Sequence, residues 1–474
     1  MPGKVLSVAS ECVPLVKTGG LADVVGALPG ALAPLGWDMR VLIPAYRRLL
    51  PQVRHWDEVF AEDDLFGGRG VVRRGEVEGF TLLALDAPHL FDREGGPYAG
   101  PDGKDWGDNH IRFAALSWVA ARIGQAGLWD DWKPDLLHAH DWQAGFAPVY
   151  RQLLGGGNSV ITVHNIAFQG WAAADQIGAL RLPEWEFHAG SLEYYGGLSS
   201  LKAGLVWSDR ITTVSPTYAD ELMRPEFGMG LEGVIAARAA LVSGILNGVD
   251  TGVWSPEAEP LPFSAKAMKG KAANRAAICA EFGLSVDGPL AIVVSRLTDQ
   301  KGIDLLPEVI PEFIEGGGGL IVLGSGAPEL ELAMHGLAAR YPGRVAVRIG
   351  YDEGLSHRLF AGGDAVLVPS RFEPCGLTQM YGLRYGTIPV VAAVGGLADT
   401  VITANPMALA SGTATGLTFH PTDAVAFGQA LRRLLALYAD GKTWAKLQKA
   451  AMAQPVGWEA SAARYAALYE GLAG

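Results

Sequence analysis

Charged side chains that could bind an anionic ligand follow several of the short apolar segments of this chain. Lys17 stands before a Thr-Gly-Gly run, Arg296 and Lys301 lie within the polar segment 295–302, and Glu373 lies in a second polar segment, 370–379. Cations beside a helix N-terminus can clamp a diphosphate. A carboxylate there would repel phosphate, so Glu373 suits the hydroxyl groups of a neutral polyol. The alternatives are a surface lysine, a solvated basic turn and, for Glu373, charge compensation at a helix start, worth about 0.3–1 kcal/mol.

The pentapeptide GGLAD occurs at 19–23 and again at 395–399. Each copy follows an apolar, strand-like run and begins a segment with helical spacing. The unpaired amides and the dipole of a helix N-terminus favour an anion. The repeat therefore predicts two nucleotide-type α/β domains that face one charged ligand.

Histidines follow two further strand-like segments, at 138, 140 and 164. His138 and His140 would point to the same side of a strand, with Asp141 next, which leaves open either a metal site or packing at a strand end. No second cluster of ligands accompanies them. His164 and Asn165 could contact polar groups of a substrate or form a structural turn.

Composition narrows the class of protein. The chain has 474 residues, 49% of them hydrophobic and 19% charged, which predicts a globular protein of two domains. Its net charge of −12 argues against nucleic acid or an anionic membrane as a partner. The three cysteines form no CxxC pair, and no apolar run is long enough for a signal peptide or a membrane span. We expect a cytoplasmic protein.

Apolar runs alternate with helical patterns, which predicts parallel sheets covered by helices on both faces. A turn at 247–250 predicts an N-terminal domain of 1–246, a C-terminal domain of 247–455, and a last segment, 456–474, whose helix packs back on the first domain. The glycine-rich stretch 92–109 predicts a mobile surface loop. The expected strands are 4–9, 39–43, 80–85, 135–139, 160–163, 210–214, 290–295, 319–323, 345–349, 365–368 and 388–392. The expected helices include 21–34, 110–123, 143–153, 302–314, 328–340, 355–361, 376–385 and 458–472.

Taken together and in order, these motifs resemble those of bacterial glycogen synthases and plant starch synthases. The resemblance covers essentially the whole chain. It is carried by KTGGLADVVGALP at 17–29, HAHDWQ at 138–143, HNIAFQG at 164–170, EFGMGLEGV at 226–234, NGVD at 247–250, SRLTDQKG at 295–302, RFEPCGLTQMYGLRYG at 371–386 and GGLADTV at 395–401.

The resemblance implies an α/β protein of the GT-B fold, with two Rossmann-like domains and a cleft between them. It implies transfer of glucose from ADP-glucose to the non-reducing end of an α-1,4-glucan such as glycogen, with retention of anomeric configuration. It implies no cofactor and no metal requirement, and the cations Arg296 and Lys301 agree with that expectation.

The resemblance also assigns roles to individual residues. It implies that Arg296 and Lys301 bind the departing diphosphate, that Glu373 holds glucose hydroxyls, and that His164 lines the anomeric centre. Asp141 and Asn165 would neighbour His164, and Tyr98 would lie near the acceptor. The remaining substrate-binding residues implied by the motifs are Lys17, Gly19, Gly20, Asp23, Glu11, Asn247, the adenine-packing pair Gly350 and Tyr351, and the amide-bearing Gly376, Leu377 and Thr378.

Four other interpretations remain at this point. A dehydrogenase would need GxGxxG after the first strand, where this chain has Lys-Thr-Gly-Gly. A glucan phosphorylase would need pyridoxal phosphate, another nucleotide-sugar glycosyltransferase would share the fold, and a non-catalytic glucan-binding protein would have lost the charged residues. The family often has a basic residue and Thr before the second GGLAD. Ala393 and Val394 stand there, which leaves the backbone amides of Gly395 and Gly396 as the groups that could serve.

Overall fold

The computed structural model describes residues 3–473 and divides the chain into two compact units. The first unit runs to Leu246 and resumes at Trp458, and the second unit is Asn247–Gly457. Each unit is built on its own large sheet.

The first unit has a nine-stranded sheet in the order β12-β11-β7-β6-β1-β2-β5-β4-β3. In this order, neighbouring strands from β12 through β5 pair in parallel. The last two pairs, β5 with β4 and β4 with β3, are antiparallel. The strands are β1 (Lys4–Val8), β2 (Asp38–Pro44), β3 (Asp57–Glu62), β4 (Gly70–Val77), β5 (Phe80–Asp86), β6 (Leu136–His140), β7 (Asn158–Val163), β8 (Trp171–Ala173), β9 (Glu193–Tyr194), β10 (Gly197–Ser199), β11 (Arg210–Thr213) and β12 (Val242–Gly244), of which β8, β10 and β9 form a separate antiparallel sheet.

The helices of this unit cover the parallel strands, whose side chains are buried on both faces. In α1 the apolar residues Leu21, Val24, Val25, Leu28 and Leu32 recur at helical spacing and all are buried. The helices are α1 (Gly20–Leu32), α2 (Leu50–Val53), α3 (Pro88–Phe91), α4 (Asn109–Ala126), α5 (Ala147–Leu153), α6 (Ser200–Trp207), α7 (Pro216–Glu221) and α8 (Glu232–Ala237).

The antiparallel edge is a departure from the parallel sheets expected from the sequence. Arg73, Arg74 and Glu76 in the middle of β4 are partly or fully exposed, so this strand is not a continuous apolar run. An antiparallel strand with one solvent-exposed face carries a weaker apolar signal than a buried parallel strand. The sequence pattern consequently did not predict β3 and β4.

The second unit has a six-stranded, wholly parallel sheet in the order β15-β14-β13-β16-β17-β18. Its strands are β13 (Leu290–Val294), β14 (Gly319–Gly324), β15 (Val345–Ile349), β16 (Ala365–Val368), β17 (Ile388–Ala392) and β18 (Leu417–Phe419). Its helices are α9 (Lys269–Glu281), α10 (Leu306–Glu315), α11 (Pro328–Arg340), α12 (Glu353–Gly362), α13 (Thr378–Tyr385), α14 (Gly395–Thr400), α15 (Pro406–Ser411), α16 (Ala424–Ala439) and α17 (Gly441–Met452).

The last helix, α18 (Glu459–Ala473), belongs to the first unit. Its buried residues Tyr465 and Tyr469 join the core that α1 forms with Trp37. The rings of Tyr469 and Trp37 meet edge to face with centroids 5.3 Å apart, a favoured aromatic geometry. Within the described residues, no helix has the length and apolar character that crossing a membrane would require.

We expect Tyr469→Ala to lower the free energy of unfolding of the first unit by about 4 kcal/mol, because a fully buried aromatic side chain is lost. Urea unfolding followed by tryptophan fluorescence measures this change. Glu470→Ala, one residue on and exposed, is the matched control and should stay within about 0.5 kcal/mol of the wild type. Equal stabilities of the two variants would contradict the packing described for α18.

Candidate functional site

In each unit several of the predicted site residues follow the strands at which the strand order reverses. The chain of the second unit runs outward from β13 through β14 to β15, and then from β16 through β17 to β18 on the other side. In the first unit the reversal lies between β1 and β6. Loops that leave adjacent strands in opposite directions open a crevice at such a point, where ligands of open α/β sheets bind.

Lys301 and Glu373 form an ion pair at the reversal point of the second unit. Lys301 Nζ lies 2.5 Å from Glu373 Oε2, and Ser370 donates a hydrogen bond to the same oxygen at 2.9 Å. Glu373 is buried and the Lys301 side chain is largely so. These three residues line a small concavity together with Thr378 and the ends of β13 and β16. The two loops therefore present one cation and one carboxylate side by side.

Glycine allows these two loops to approach each other. Gly302 has φ of +68°, and a Cβ there would lie 1.9 Å from the carbonyl oxygen of Pro369. Arg371, which the sequence analysis did not assign, ties the same loops together through a bidentate pair with Asp304 at 2.6 and 2.7 Å. Its position two residues before Glu373 could have marked Arg371 as a candidate. Nothing in the sequence identified Asp304 as its partner.

The segments 295–302 and 370–379, which carry this ion pair, also carry donor groups without a partner among the described residues. Arg296 is exposed, and its guanidinium has no hydrogen-bond or ionic partner among the residues described. The amides of Gly376, Leu377 and Thr378, just before and at the start of α13, likewise bond to no carbonyl within the described chain. A guanidinium and a row of unpaired amides at a helix start are the groups that bind phosphate oxygens.

In the second GGLAD copy, the amide of Gly396 is already engaged within the second unit. The Gly396 amide already donates to the carbonyls of Glu373 and Pro374, at 3.1 and 3.2 Å. A Cβ at Gly395 would lie 2.0 Å from the Glu373 carbonyl oxygen, and one at Gly396 would lie 2.2 Å from that of Cys375. These glycines let the loop after β17 press against the segment that carries Glu373. Their function is close packing.

Three other predicted residues of the second unit form no hydrogen bond or ion pair with Lys301 or Glu373 among the contacts of the described residues. Gly350 has φ of +127° after β15, and Tyr351 is 80% exposed with its hydroxyl on Glu353 Oε2 at 2.8 Å. Asn247 is buried, and its Oδ1 atom has no hydrogen-bond partner within the described residues. Cys375 is also buried, which raises the pKa of its thiol to about 12 and excludes a reactive thiolate near neutral pH.

In the first unit, Glu11 organises the loop that leads to the first GGLAD copy. The buried carboxylate of Glu11 accepts hydrogen bonds from the Thr18 amide, from Thr18 Oγ1 at 2.6 Å, and from the Tyr98 hydroxyl. The Tyr98 hydroxyl also lies 2.7 Å from Ser10 Oγ. The stretch 92–109, expected to be a mobile loop, is therefore anchored at Tyr98, and Arg93 pairs with Asp108 at its ends.

Lys17 pairs with Asp23 across the glycine turn, with Nζ 2.7 Å from Oδ1. The Lys17 side chain is 49% exposed, so this contact itself contributes little stability. Gly19 and Gly20 are exposed, and no heavy atom lies within 4 Å of the position that a Cβ would take in either. The first GGLAD copy thus leaves open the backbone that the second copy uses for packing.

Asp141 holds an unusual backbone conformation directly after β6. Its φ of 53° and ψ of −167° fall in a region that is almost restricted to glycine and costs about 1–3 kcal/mol. Asp141 Oδ1 accepts hydrogen bonds from the amides of His164 at 2.6 Å and Asn165 at 3.3 Å. Burial raises the pKa of Asp141 to about 7. This side chain thereby fixes the backbone on which His164 and Asn165 stand.

The three histidines are packed in the core around the ends of β6 and β7. His138 and His140 are fully buried, and His164 nearly so. His138 bonds Thr162 Oγ1 and the hydroxyl of Tyr469, at 2.6 and 2.7 Å. Among the residues described, no three His, Cys, Asp or Glu side chains are arranged so that they could hold a metal ion. These contacts favour strand-end packing, the second of the two interpretations, for His138 and His140.

Burial keeps these imidazoles neutral. It lowers the pKa of His138 and of His164 to about 3, and lowers that of His140 well below its ordinary value, with the neighbouring histidines adding to the effect on His138 and His140. The predicted residues of the first unit thus form two hydrogen-bonded groups, Glu11 with Tyr98 and Asp141 with His164 and Asn165.

Comparisons with known proteins agree with the motifs. Residues 4–237 match the family model described as starch synthase catalytic domain, and residues 288–437 match that of glycosyl transferases group 1. The chain is 70% identical to a glycogen synthase of Cereibacter sphaeroides, covering 99% of this chain and 98% of the relative. It is 56% identical to a glycogen synthase of Paracoccus denitrificans, covering 99% of each.

The chain belongs to the glycogen synthase family. The catalytic domain of starch synthase IV from Arabidopsis thaliana, solved with ADP and acarbose, is similar in structure, with a TM-score of 0.86, 32% identity and full coverage of both chains. Sucrose-phosphate synthase from Thermosynechococcus elongatus, at 21% identity, 99% coverage of both chains and a TM-score of 0.62, shares the fold alone. The protein is therefore a glycosyltransferase of the GT-B fold, which confirms the fold and the family expected from the motifs.

The neutral histidines predict a pH dependence of stability. The unfolded chain binds a proton at His138 below about pH 6.5, whereas the folded chain does so only near pH 3. Stability from this group is complete above pH 6.5 and is lost as the pH falls toward 3, by up to about 1.4 kcal/mol per pH unit. The raised pKa of Asp141 has the opposite effect on stability, which increases from this group as the pH falls from about 7 to about 4. The His138 substitution leaves the Asp141 carboxyl group in place.

We therefore expect His138→Gln to reduce the fall in unfolding free energy between pH 7 and pH 5, because glutamine has no proton to take up. Urea unfolding at pH 7, 6 and 5 gives the slope for each protein. His335→Gln, at an exposed histidine of α11 in the second unit, is the control and should leave the slope as it is in the wild type. Equal slopes for His138→Gln and the wild type would contradict the neutral state of the buried imidazole.

Proposed function

We propose that this protein transfers glucose from ADP-glucose to the non-reducing end of an α-1,4-glucan, with retention of configuration, as a glycogen synthase. The observation that carries the proposal is the Lys301–Glu373 pair on two segments that also carry free amides and a free guanidinium. A diphosphate needs the cations and amides, and a sugar needs a carboxylate that accepts from its hydroxyls. The similar starch synthase was solved with ADP, and the closely similar relatives are named glycogen synthases.

The chemistry of the donor explains why cations sit at this point. Loss of the nucleoside diphosphate builds negative charge on the leaving phosphate and positive charge at the sugar C1 atom. Lys301 and Arg296 interact more strongly with that developing charge than with the ground state, which lowers the barrier. Two cations and the amides of Gly376–Thr378 can thus neutralise the diphosphate without a metal ion.

Glu373 has a second task in this proposal. In the absence of substrate it neutralises Lys301, and with substrate it accepts hydrogen bonds from glucose hydroxyls. Ser370 stays bonded to the same Oε2 atom and limits the positions the carboxylate can take. Glu373 therefore serves as a holding group for the sugar.

For the first unit, the roles implied by the family resemblance stay predictions that the geometry supports. His164 and Asn165 stand on a backbone fixed by Asp141, as residues that line a reacting sugar must. Lys17, Gly19 and Gly20 present an exposed cation and open backbone, which suits an anionic donor. Glu11 and Tyr98 share a hydrogen bond, so the proposed acceptor loop and the Lys17 loop are coupled. Asp23 positions Lys17.

A transfer assay tests the proposal directly. We expect glucose from labelled ADP-glucose to enter glycogen through α-1,4 linkages, with less from UDP-glucose, and an excess of EDTA to leave the rate largely unchanged. Incorporation from neither sugar nucleotide would contradict the proposed function. Strict metal dependence would reopen the metal interpretation of His138 and His140, and phosphorolysis with pyridoxal absorbance would indicate a phosphorylase. The expected cytoplasmic location is a separate prediction.

We expect Lys301→Ala to lower kcat by about a hundredfold or more, because the cation acts mainly in the transition state. The KM for glycogen should change far less. Steady-state kinetics with each substrate varied in turn measures both. Lys446→Ala, at an exposed lysine of α17 in the same unit, should keep wild-type kinetics. Full activity of Lys301→Ala would remove Lys301 from the diphosphate site.

A further inference from the structure

A buried chain of hydrogen bonds leads from β1 to His164. Ser7 Oγ lies 3.1 Å from His140 Nε2, and His140 Nδ1 lies 3.0 Å from His164 Nε2. Ser7 and His140 are fully buried. The second nitrogen of His164, Nδ1, has no hydrogen-bond partner in the described chain and is not among its buried unpaired atoms, so this atom borders open space. The chain thus ends on one ring atom that is free to meet a ligand.

The proton positions along this chain follow from Ser7. Within the described residues the Ser7 hydroxyl contacts a single polar partner, His140 Nε2. If Ser7 accepted a hydrogen bond from His140, its own buried O–H would have no acceptor, which costs about 1–3 kcal/mol. Ser7 therefore donates to Nε2. A neutral imidazole carries its proton on the other nitrogen, so His140 donates from Nδ1 to His164 Nε2.

We propose that Ser7 and His140 are positioning residues that hold neutral His164 with its proton on Nδ1, so that it donates a hydrogen bond to an oxygen of the bound sugar. This rests on the proposed function in one respect, the placement of His164 beside the sugar. Without the chain, no hydrogen bond at Nε2 would fix which nitrogen of His164 carries the proton. With the chain, the donor form is selected before substrate arrives and needs no rearrangement during the reaction.

The second hydrogen-bonded chain in this core supplies a matched control. His138 bonds Thr162, and Thr162 Oγ1 lies 2.5 Å from Thr212 Oγ1. Thr212 is fully buried on β11, as Ser7 is on β1. Thr212→Val removes a buried hydroxyl at nearly constant volume but breaks no contact of His140 or His164. A general effect of losing a core hydroxyl would appear in both variants.

The test combines nitrogen NMR with kinetics on the whole protein. With ¹⁵N-labelled histidine, the shifts of the two ring nitrogens of His164 report which one carries the proton, and the His164→Gln spectrum assigns the signals. We expect protonated Nδ1 in the wild type and in Thr212→Val. In Ser7→Ala we expect a mixture of both forms, and a fall in kcat/KM of about tenfold, the size of one lost hydrogen bond.

The outcomes separate this proposal from the proposed function. A proton on Nε2 of His164 in the wild type would overturn the proposal, whatever the protein transfers. An unchanged His164 signal in Ser7→Ala would also overturn it, as would an equal loss of kcat/KM in Thr212→Val. The spectra need no substrate, so absence of glucose transfer would contradict the proposed function while the spectra still decide the proton position.

Discussion

The candidate site of the second unit depends on close packing of loops at one edge of its parallel sheet. All strands of such a sheet end at the same edge, so the loops that follow them compete for space there. In the second unit the carbonyl of Pro369 meets Gly302, that of Glu373 meets Gly395, and that of Cys375 meets Gly396. A side chain at any of these glycines would force two loops apart. The close contact of Lys301 and Glu373, which lie on different loops, requires this backbone packing.

The same constraint explains why one pentapeptide serves two purposes. At 395–399 the glycines lie against the segment after β16, which is next to β17 in the sheet. At 19–23 the glycines lie at the surface of the first unit with no atom beside them, and Glu11 instead holds the loop through Thr18. Identical residues therefore supply packing in one unit and open backbone in the other. The difference comes from the neighbouring loops, which the pentapeptide itself does not encode.

This distinction also marks what sequence could predict. Buried parallel strands are continuous apolar runs, so β13, β14, β15, β16 and β17 were predicted nearly to the residue. The partly solvent-exposed strands β3 and β4 were not predicted, because their polar residues interrupt the apolar run. Short motifs singled out Lys301, Glu373 and His164 as candidates, but they did not reveal that Lys301 and Glu373 pair with each other across 72 positions. They did not reveal the pairing of Arg371 with Asp304, or of Ser7 with His140, since these partners lie 67 and 133 positions apart.

In the proposed reaction, charged groups of the second unit and neutral groups of the first unit have different roles. The cations that would stabilise a departing diphosphate, Arg296 and Lys301, both belong to the second unit. The core beneath His164 in the first unit is kept uncharged, because burial holds its three imidazoles in the neutral form. A protonated imidazole beside a sugar C1 atom that gains positive charge would raise the barrier by repulsion, whereas a neutral N–H donor can orient a hydroxyl without that cost. Burying the histidines thus costs stability at low pH and, in the proposed reaction, would keep positive charge away from the atom that must become positive.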